Sequence, residues 1–410
     1  MTNKFIISCA PYKDQTIELK ELCPLKFFKI SPLPLFSPEA TSFLNELSES
    51  ILKKTEIRDF PELLALAFWL RKGNLVPLLK NWKSKLSSEE LLSARGVAFH
   101  IAPSNVDSIF LYSWALSLLC GNLNVVRVSS TRSIQLDILF EIIDNLFNTH
   151  KQIAIRNKLF TYQHDDEIST YFSINADLRV LWGGDETVNL IKNLKSKPTV
   201  KDVTFADKSS LAIIDSNSYM RLNNNERDKL AHAFYNDTYW FDQKACSSPS
   251  RIYFIGSNAD KSSEIFWNYM SKELTKNKAL DDVSLSIKKL TSLYQEIIDH
   301  KGLEPLIIGR YDRPTVLLQK SGPPVHPSCG GGFFIEGRLA NLNELPKVVM
   351  RKDQTLGYFG FNSDDLRELS KTSIGFDLDR IVPIGSALDF HHVWDGYDLL
   401  TEFSKRLIFF

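Results

Sequence analysis

The sequence predicts an α/β protein whose parallel sheets are covered by helices on both faces. Three observations lead there. From Arg95 to Ala206, short apolar runs alternate with helix-length amphipathic patterns, the rhythm of repeated strand–helix units. The breaks between runs fall on small or turn-forming residues, as at Pro103-Ser104-Asn105 and Gly183-Gly184-Asp185. The rhythm then restarts near Lys208, and 410 residues are ample for two or three domains.

Residues 1 to about 36 alternate apolar runs with Pro24, Pro32 and Pro34 and read as strands and turns. Ser37-Pro38-Glu39 is an N-cap followed by Pro at the first helical position, opening a helix to about Lys54. Pro61 opens another, and Ser87-Ser88-Glu89-Glu90 a short third. Arg95 to Ala102 is a buried strand, and a helix from about Asp107 to Cys120 stops at Gly121-Asn122. Strands follow at Asn124–Val128, Lys158–Tyr162, Leu178–Trp182 and Asp202–Ala206, with helices at Gln135–Asn148, Asp165–Ile174 and from Asp185 to about Leu194.

In the second half, Ser210–Asp215 is a strand and Glu226–Tyr235 a helix, with Leu230, Ala233 and Phe234 at helical spacing. A polar loop carries Cys246, Pro249 ends any helix there, and Ile252–Gly256 is β-prone. Helical stretches cover Ser262–Thr275 and Val283–His300. A strand follows at Pro314–Leu318, then a glycine-rich turn at Ser328–Gly332 entering another. A helix at Asp364–Lys371 and an extended segment from Gly375 to Ile384 complete the order. The expected domains are 1–207, 208–375 and a C-terminal segment, 376–410.

Composition excludes several classes. Lys plus Arg and Asp plus Glu are both 49, so no basic excess speaks for nucleic acid. Apolar content of 43% and charged content of 24% are ordinary for a globular protein. The five cysteines, Cys9, Cys23, Cys120, Cys246 and Cys329, are odd in number and far apart, which fits a reducing compartment rather than a disulfide scaffold or zinc module. The N-terminal apolar run is too short for a signal peptide, and Ile109–Leu119 is too short to span a bilayer. A cytoplasmic protein with no membrane span is expected. His326 and Cys329 have no further ligands in view, so no metal is expected; His391-His392 reads as surface or packing histidine.

Four constellations carry chemistry. Cys246 lies on a helix-to-strand loop where a thiol can face a cleft; only its thiolate would be a nucleophile, and the alternative is a small buried cysteine. Asn105 can cap the next helix, or its amide can donate to a developing oxyanion. Arg127, Ser129 and Ser130 follow a strand where a dinucleotide ribose would lie; no acid stands between Val125 and Gln135, and Arg suits a 2′-phosphate. The alternative is a solvated loop. Gly183 and Gly184 can let backbone amides approach a phosphate, or can serve a tight turn; no Gly-x-Gly-x-x-Gly occurs.

Five blocks together resemble the aldehyde dehydrogenase superfamily, and within it the LuxC-type acyl-CoA reductases. They are Gly96-Val97 with Pro103-Ser104-Asn105 through Gly121-Asn122 to Arg127-Val128-Ser129; Leu181-Trp182-Gly183-Gly184-Asp185; Phe205-Ala206-Asp207-Lys208-Ser209-Ser210; Asp242-Gln243-Lys244-Ala245-Cys246-Ser247-Ser248-Pro249; and Asp379 to Gly385 with Leu388-Asp389-Phe390 and Trp394-Asp395-Gly396-Tyr397-Asp398. The resemblance covers roughly Arg95 to the end. It implies a Rossmann-like cofactor domain, an α/β catalytic domain and a small oligomerisation segment. By position, Cys246 matches the nucleophile and Asn105 the oxyanion amide. Pro103, Ser104, Arg127, Ser129, Ser130, Gly183, Gly184 and Asp185 fall in the cofactor-binding turns.

Departures are equally informative. Thr204 stands near the place where aldehyde-oxidising members carry a water-activating acid, and Cys329 near the acid usual beside the nicotinamide ribose. The Gln243-to-Cys246 spacing is one residue longer than in most of the superfamily. Hydrolysis needs an activated water and reduction of a thioester does not. The resemblance therefore implies NADPH-dependent reduction of an acyl thioester to an aldehyde through acyl-Cys246, in a homo-oligomer, with an acyl-activating partner protein possible by family analogy. The alternatives are aldehyde oxidation and a non-catalytic acyl-binding subunit. Phe110, Tyr112 and Trp114 can line an acyl channel or be core.

Overall fold

The computed structural model describes residues 4–103, 106, 108–277, 283–309, 313–327, 329–372 and 378–410. Ser104 and Asn105 lie outside the described residues. The chain divides into two compact units: Met1–Asp207 with Phe390–Phe410, and Lys208–Asp389. Residues 378–389, expected with the C-terminal segment, belong to the second unit, and the return to the first begins at Phe390.

The first unit opens with β1 (Phe5–Ala10) and β2 (Thr16–Glu18). A single helical turn at Leu19–Leu22 follows, then longer helices at Pro38–Lys53, Pro61–Trp69 and Lys72–Lys83. The Ser37 side chain accepts from Ala40 N, as its cap position requires. The short helix expected from Ser87 is absent. The Glu90 carboxylate closes a turn onto Ser87 N, and β3 (Glu90–Ala94) pairs antiparallel with a strand more than 300 positions away, near the C-terminus. A local acidic N-terminal pattern yields here to a pairing that no local window can show.

Then come β4 (Val97–Ile101), β5 (Leu123–Arg127), β6 (Asn157–Thr161), β7 (Leu178–Trp182) and β8 (Lys201–Phe205), with helices between them. Among the described residues the sheet order is β2-β1-β6-β5-β4-β7-β8, parallel throughout except for β1 and β2. The chain leaves β4 toward β5 and β6 on one side and returns to β7 and β8 on the other. Such a reversal opens a crevice at the strand C-terminal ends. The helix Ile109–Leu119 between β4 and β5 is apolar nearly all round and buried, as an inner helix must be.

In the second unit β9 (Ser209–Asp215), β10 (Arg251–Ile255), β11 (Leu303–Ile307), β12 (Thr315–Gln319), β13 (Phe333–Leu339), β14 (Asp353–Phe359) and β15 (Arg380–Pro383) form a sheet ordered β11-β12-β13-β10-β9-β14-β15. Among the described residues only β11, at one edge, runs antiparallel to its neighbour. The helix Asn224–Tyr239 is entered through a reciprocal cap between Asn223 and Glu226 and leads into the Cys246 loop. It also carries Asp237, whose buried carboxylate accepts from Gly385 N at 2.6 Å and Ala387 N at 2.9 Å.

The chain then rejoins the first unit through β16 (Val393–Trp394), β17 (Tyr397–Asp398) and β18 (Ser404–Ile408), the partner of β3. The Asn122 amide donates to Phe403 O at 2.9 Å and Arg95 Nε to Glu402 O at 2.9 Å. Trp69, Tyr112, Phe390 and Trp394 pack ring to ring. Phe110, Tyr112 and Trp114 are thus core residues, at most 1% exposed. Trp114 Nε1 donates to Asn157 Oδ1 at 2.8 Å, which satisfies its one polar atom in that core. Among the described residues no helix is long and apolar enough to cross a membrane.

Candidate functional site

The Cys246 loop sits at the N-terminal edge of the second unit's sheet, just ahead of β10, not at the strand C-terminal ends. Asp242 and Gln243 take φ of 49° and 61°, two successive left-handed residues that reverse the chain after the helix. Gln243 then acts as a clamp. Its Nε2 donates to Pro249 O at 3.0 Å and Phe333 O at 3.2 Å, and its Oε1 accepts from Gly332 N at 2.8 Å and Phe333 N at 3.0 Å. The Cys246 loop and the glycine turn before β13 are thereby tied together. Gly331 N donates to Asp242 O at 2.8 Å in the same junction. A methyl at Gly332 would overlap the Tyr239 hydroxyl, and one at Gly330 would lie 2.8 Å from Asp242 O, so the turn approaches too closely for side chains.

From β9, the Ser210 hydroxyl donates to Cys246 O at 2.7 Å and accepts from Thr355 N at 3.1 Å. Cys246 is held through its carbonyl, in a loop clamped by Gln243, and the residue stays partly exposed. The other four cysteines are buried. Burial pushes the thiols of Cys9, Cys23 and Cys120 up to about 12 and raises that of Cys329, so all four remain protonated at neutral pH. Next to Cys246, Ser247 and Ser248 carry buried hydroxyls without a hydrogen-bond partner among the described residues.

In the first unit the described residues expected at a cofactor gather at one edge. Pro103 follows β4, Arg127 ends β5 with Ser129 and Ser130 beyond it, and Gly183, Gly184 and Asp185 follow β7. Strands β5, β4 and β7 are neighbours, so these turns line the crevice where the strand order reverses. The Arg127 guanidinium lies 4.9 Å from the Tyr162 ring centroid, and its Nε is buried without a partner. Ser129 Oγ accepts from Thr131 N at 3.1 Å, closing its own turn. Arg132 is engaged by Asp14 at 2.6 Å and Asp137 at 2.7 Å, so the loop is less basic than its sequence suggests.

Gly184 has an ordinary φ of −61°, so backbone strain does not explain it; a methyl there would meet the Asp207 carboxylate at 3.5 Å. The helix Asp185–Lys192 begins with Asp185 and Glu186, whose charges already complement its dipole. An anion at this helix end would rely on backbone amides against two nearby carboxylates. One cleft of the second unit, about 530 Å³, lies at the opposite sheet edge from Cys246, among Asp215, Asn217, Gly256, Asn341, Asp365 and Glu368. Ile255, Ala340, Leu342, Phe361 and Leu369 line it as well, so apolar walls alternate with its three carboxylates.

Gln243 and Ser210 stand within the resembling segments but carry no role expected from sequence. A glutamine three residues before a loop cysteine, with three glycines near 330, was the available signal for the clamp. Thr204 lies in β8, and Cys329 is buried with its Sγ 3.3 Å from Gly330 O. Among the described residues no three His, Cys, Asp or Glu side chains gather as a metal site.

Comparison with known proteins bears on these observations. The family model for the acyl-CoA reductase LuxC matches residues 71–300. The long-chain acyl-protein thioester reductase of Photorhabdus luminescens is 26% identical over 305 residues, 70% of this chain and 60% of that protein. That of Aliivibrio fischeri is 24% identical over 201 residues, 48% of this chain and 39% of that protein. The chain therefore spans 60% or less of the length of these two relatives. Among solved structures, the glyceraldehyde-3-phosphate dehydrogenase GapN of Methanocaldococcus jannaschii, complexed with NADP, superposes with a TM-score of 0.68 at 15% identity, covering 99% of this chain and 98% of that one. Lactaldehyde dehydrogenase of Escherichia coli gives 0.66 at 14%, covering 100% and 96%. The fold is that of the aldehyde dehydrogenases, and the chain belongs to the LuxC acyl-CoA reductase family.

Proposed function

We propose that this chain reduces a long-chain acyl thioester, CoA-linked or carrier-linked, to the aldehyde through an acyl-Cys246 intermediate with NADPH as reductant. The observation that carries this reading is the partly exposed Cys246 on a loop braced by Gln243 and Ser210, in a chain whose other thiols are buried. Relatives named as acyl-protein thioester reductases support it.

The Cys246 thiolate attacks the thioester carbonyl carbon. A bond forms from Sγ to the acyl carbon, and the bond to the donor sulfur breaks; the donor leaves as a thiolate and takes up a proton. The oxyanion is held by the Cys246 backbone N–H and, by the family resemblance, the Asn105 amide. One such donor is worth about 2.7–4 kcal/mol. NADPH, when bound, supplies the hydride that reduces the acyl carbon. The resulting thiohemiacetal collapses, breaking the bond to Sγ and releasing aldehyde.

The cofactor assignment is supported by the turns gathered at the strand reversal and by the unpartnered, buried Nε of Arg127. Pro103, Ser104, Arg127, Ser129, Ser130, Gly183 and Gly184 would hold it, with the Arg127 guanidinium toward a 2′-phosphate. Thr204 is no general base, which disfavours hydrolysis of the acyl-enzyme. No disulfide joins the five cysteines, which suits a reducing compartment such as the cytoplasm.

The test is incubation with a long-chain acyl-CoA and either NADPH or NADH, measuring aldehyde and free acid. Aldehyde with NADPH, lost in Cys246→Ala and lowered about 10²–10³-fold in Asn105→Ala, is expected. Free acid from the aldehyde with NADP⁺ and no thiol acceptor would instead mark an oxidising enzyme.

A further inference from the structure

Trp182 ends β7 with an indole that is 6% exposed and an Nε1–H that meets no acceptor among the described residues. An indole nitrogen only donates, and a buried one normally finds a partner. Two other core tryptophans of the same unit do. Trp114 Nε1 donates to Asn157 Oδ1 at 2.8 Å, and Trp82 Nε1 to Thr401 Oγ1 at 3.4 Å. The Trp182 ring is not free to turn away. Its cross-strand neighbour on β8 is Phe205, and the two rings stack with centroids 3.7 Å apart and planes 11° from parallel. The Tyr397 ring braces Phe205 from the side at 6.0 Å. A donor taken out of water without an acceptor destabilises the fold, and folded chains keep such a cost mainly where a ligand supplies the partner.

We infer that the Trp182 Nε1–H donates to an acceptor oxygen on the nicotinamide half of the cofactor, which makes Trp182 a binding residue in addition to the turns named above. Such a contact presupposes the reading of the crevice as a nicotinamide-cofactor site. Position selects the half of the cofactor. The strand order is β5-β4-β7-β8. With the adenosine ribose by Arg127 after β5 and the pyrophosphate at the Gly183-Gly184 turn after β7, the rest of a dinucleotide extends toward β8. Trp182 directly precedes that turn, and Gly183 N donates to Phe205 O at 3.2 Å, so the turn and the stacked pair are held as one piece. Chemistry selects the contact. The nicotinamide half offers ribose hydroxyl and carboxamide oxygens, neutral acceptors suited to a neutral donor, whereas the phosphates are matched by backbone amides and by Arg127.

The test is titration of NADPH, and of 2′-phospho-ADP-ribose, which lacks the nicotinamide, onto the intact chain without acyl substrate. Wild type is compared with Trp182→Phe and with a chain carrying 3-benzothienylalanine at position 182. The latter keeps the bicyclic ring and its stack on Phe205 but has sulfur in place of the N–H. Binding is read by calorimetry and melting by circular dichroism. NADPH is expected to bind both variants at least about fivefold more weakly, while 2′-phospho-ADP-ribose binds them as it binds wild type. Without ligand, the sulfur isostere should melt no lower than wild type, because it loses only an unpaired donor. Unchanged NADPH affinity in the isostere, an equal loss for 2′-phospho-ADP-ribose, or a lower melting temperature of the isostere would each overturn the contact. In those cases NADPH still binds the wild type, and the reductase reading survives. A wild type that binds neither nucleotide would overturn both.

Discussion

Replacing Gln243 tests the architecture around Cys246. Its amide makes four hydrogen bonds that join the Cys246 loop to the turn before β13. At about 1 kcal/mol net each, Gln243→Ala removes about 4 kcal/mol, and somewhat less where water reaches the released backbone groups. Gln243→Glu is more specific. It keeps the two acceptor contacts but turns a carboxylate oxygen toward Pro249 O and Phe333 O, replacing donation by repulsion. Urea denaturation followed by circular dichroism should show a loss of about 2–4 kcal/mol for Ala. The Glu variant should lose at least as much near neutral pH and recover part of it as its carboxyl protonates in acid. Alkylation of Cys246 by iodoacetamide should change rate in both variants, because the loop that presents the thiol is released. A loss under about 0.5 kcal/mol together with an unchanged alkylation rate would refute the clamp.

Two further outcomes follow from buried or misplaced charge. Burial raises the Asp237 carboxyl to about 7, well above its value of about 4 in the unfolded chain. The folded state therefore binds the proton more tightly, the unfolded state holds fewer protons between those values, and stability falls as pH rises from about 4 to about 7, by up to about 4 kcal/mol. Urea titrations across that range should show the decline in wild type and a much flatter profile in Asp237→Asn. At the other edge, Asp185→Asn removes a carboxylate from the helix end proposed to face the cofactor pyrophosphate. NADPH should bind a few-fold more tightly by fluorescence titration; weaker binding would mean that Asp185 itself holds the cofactor.

Much of the frame was legible because it is written locally. Leu178–Trp182 is a strand of five consecutive buried residues, and Ser37-Pro38 marks a helix start by side-chain chemistry alone. The crevice turns could be placed because a strand followed by Gly-Gly or Pro-Ser-Asn ends at a predictable point. What stayed hidden depends on distant partners. Glu90–Ala94 has the acids of a helix start and becomes a strand only because Ser404–Ile408 lies beside it. Strands β11 and β14 were missed; Asp353–Phe359 mixes polar and apolar residues, and its burial comes from β9 and β15 on either side. Cys246 could be chosen from its loop and from the resemblance, but not the reason it is presented. That reason lies in two left-handed residues, which no local pattern marks, and in a glutamine reaching some ninety positions along the chain to Phe333, a pairing that the Gln243 spacing and the glycines near 330 do not by themselves define.

The account rests on Cys246 accepting an acyl group. The direct measurement is peptide mass spectrometry of the intact chain after brief incubation with a long-chain acyl-CoA in the absence of NADPH. The account predicts one acyl group in thioester linkage on the peptide containing Cys246, discharged as aldehyde when NADPH is added and absent from Cys246→Ala. Acylation at another residue, or aldehyde formation that persists in Cys246→Ala, would contradict it.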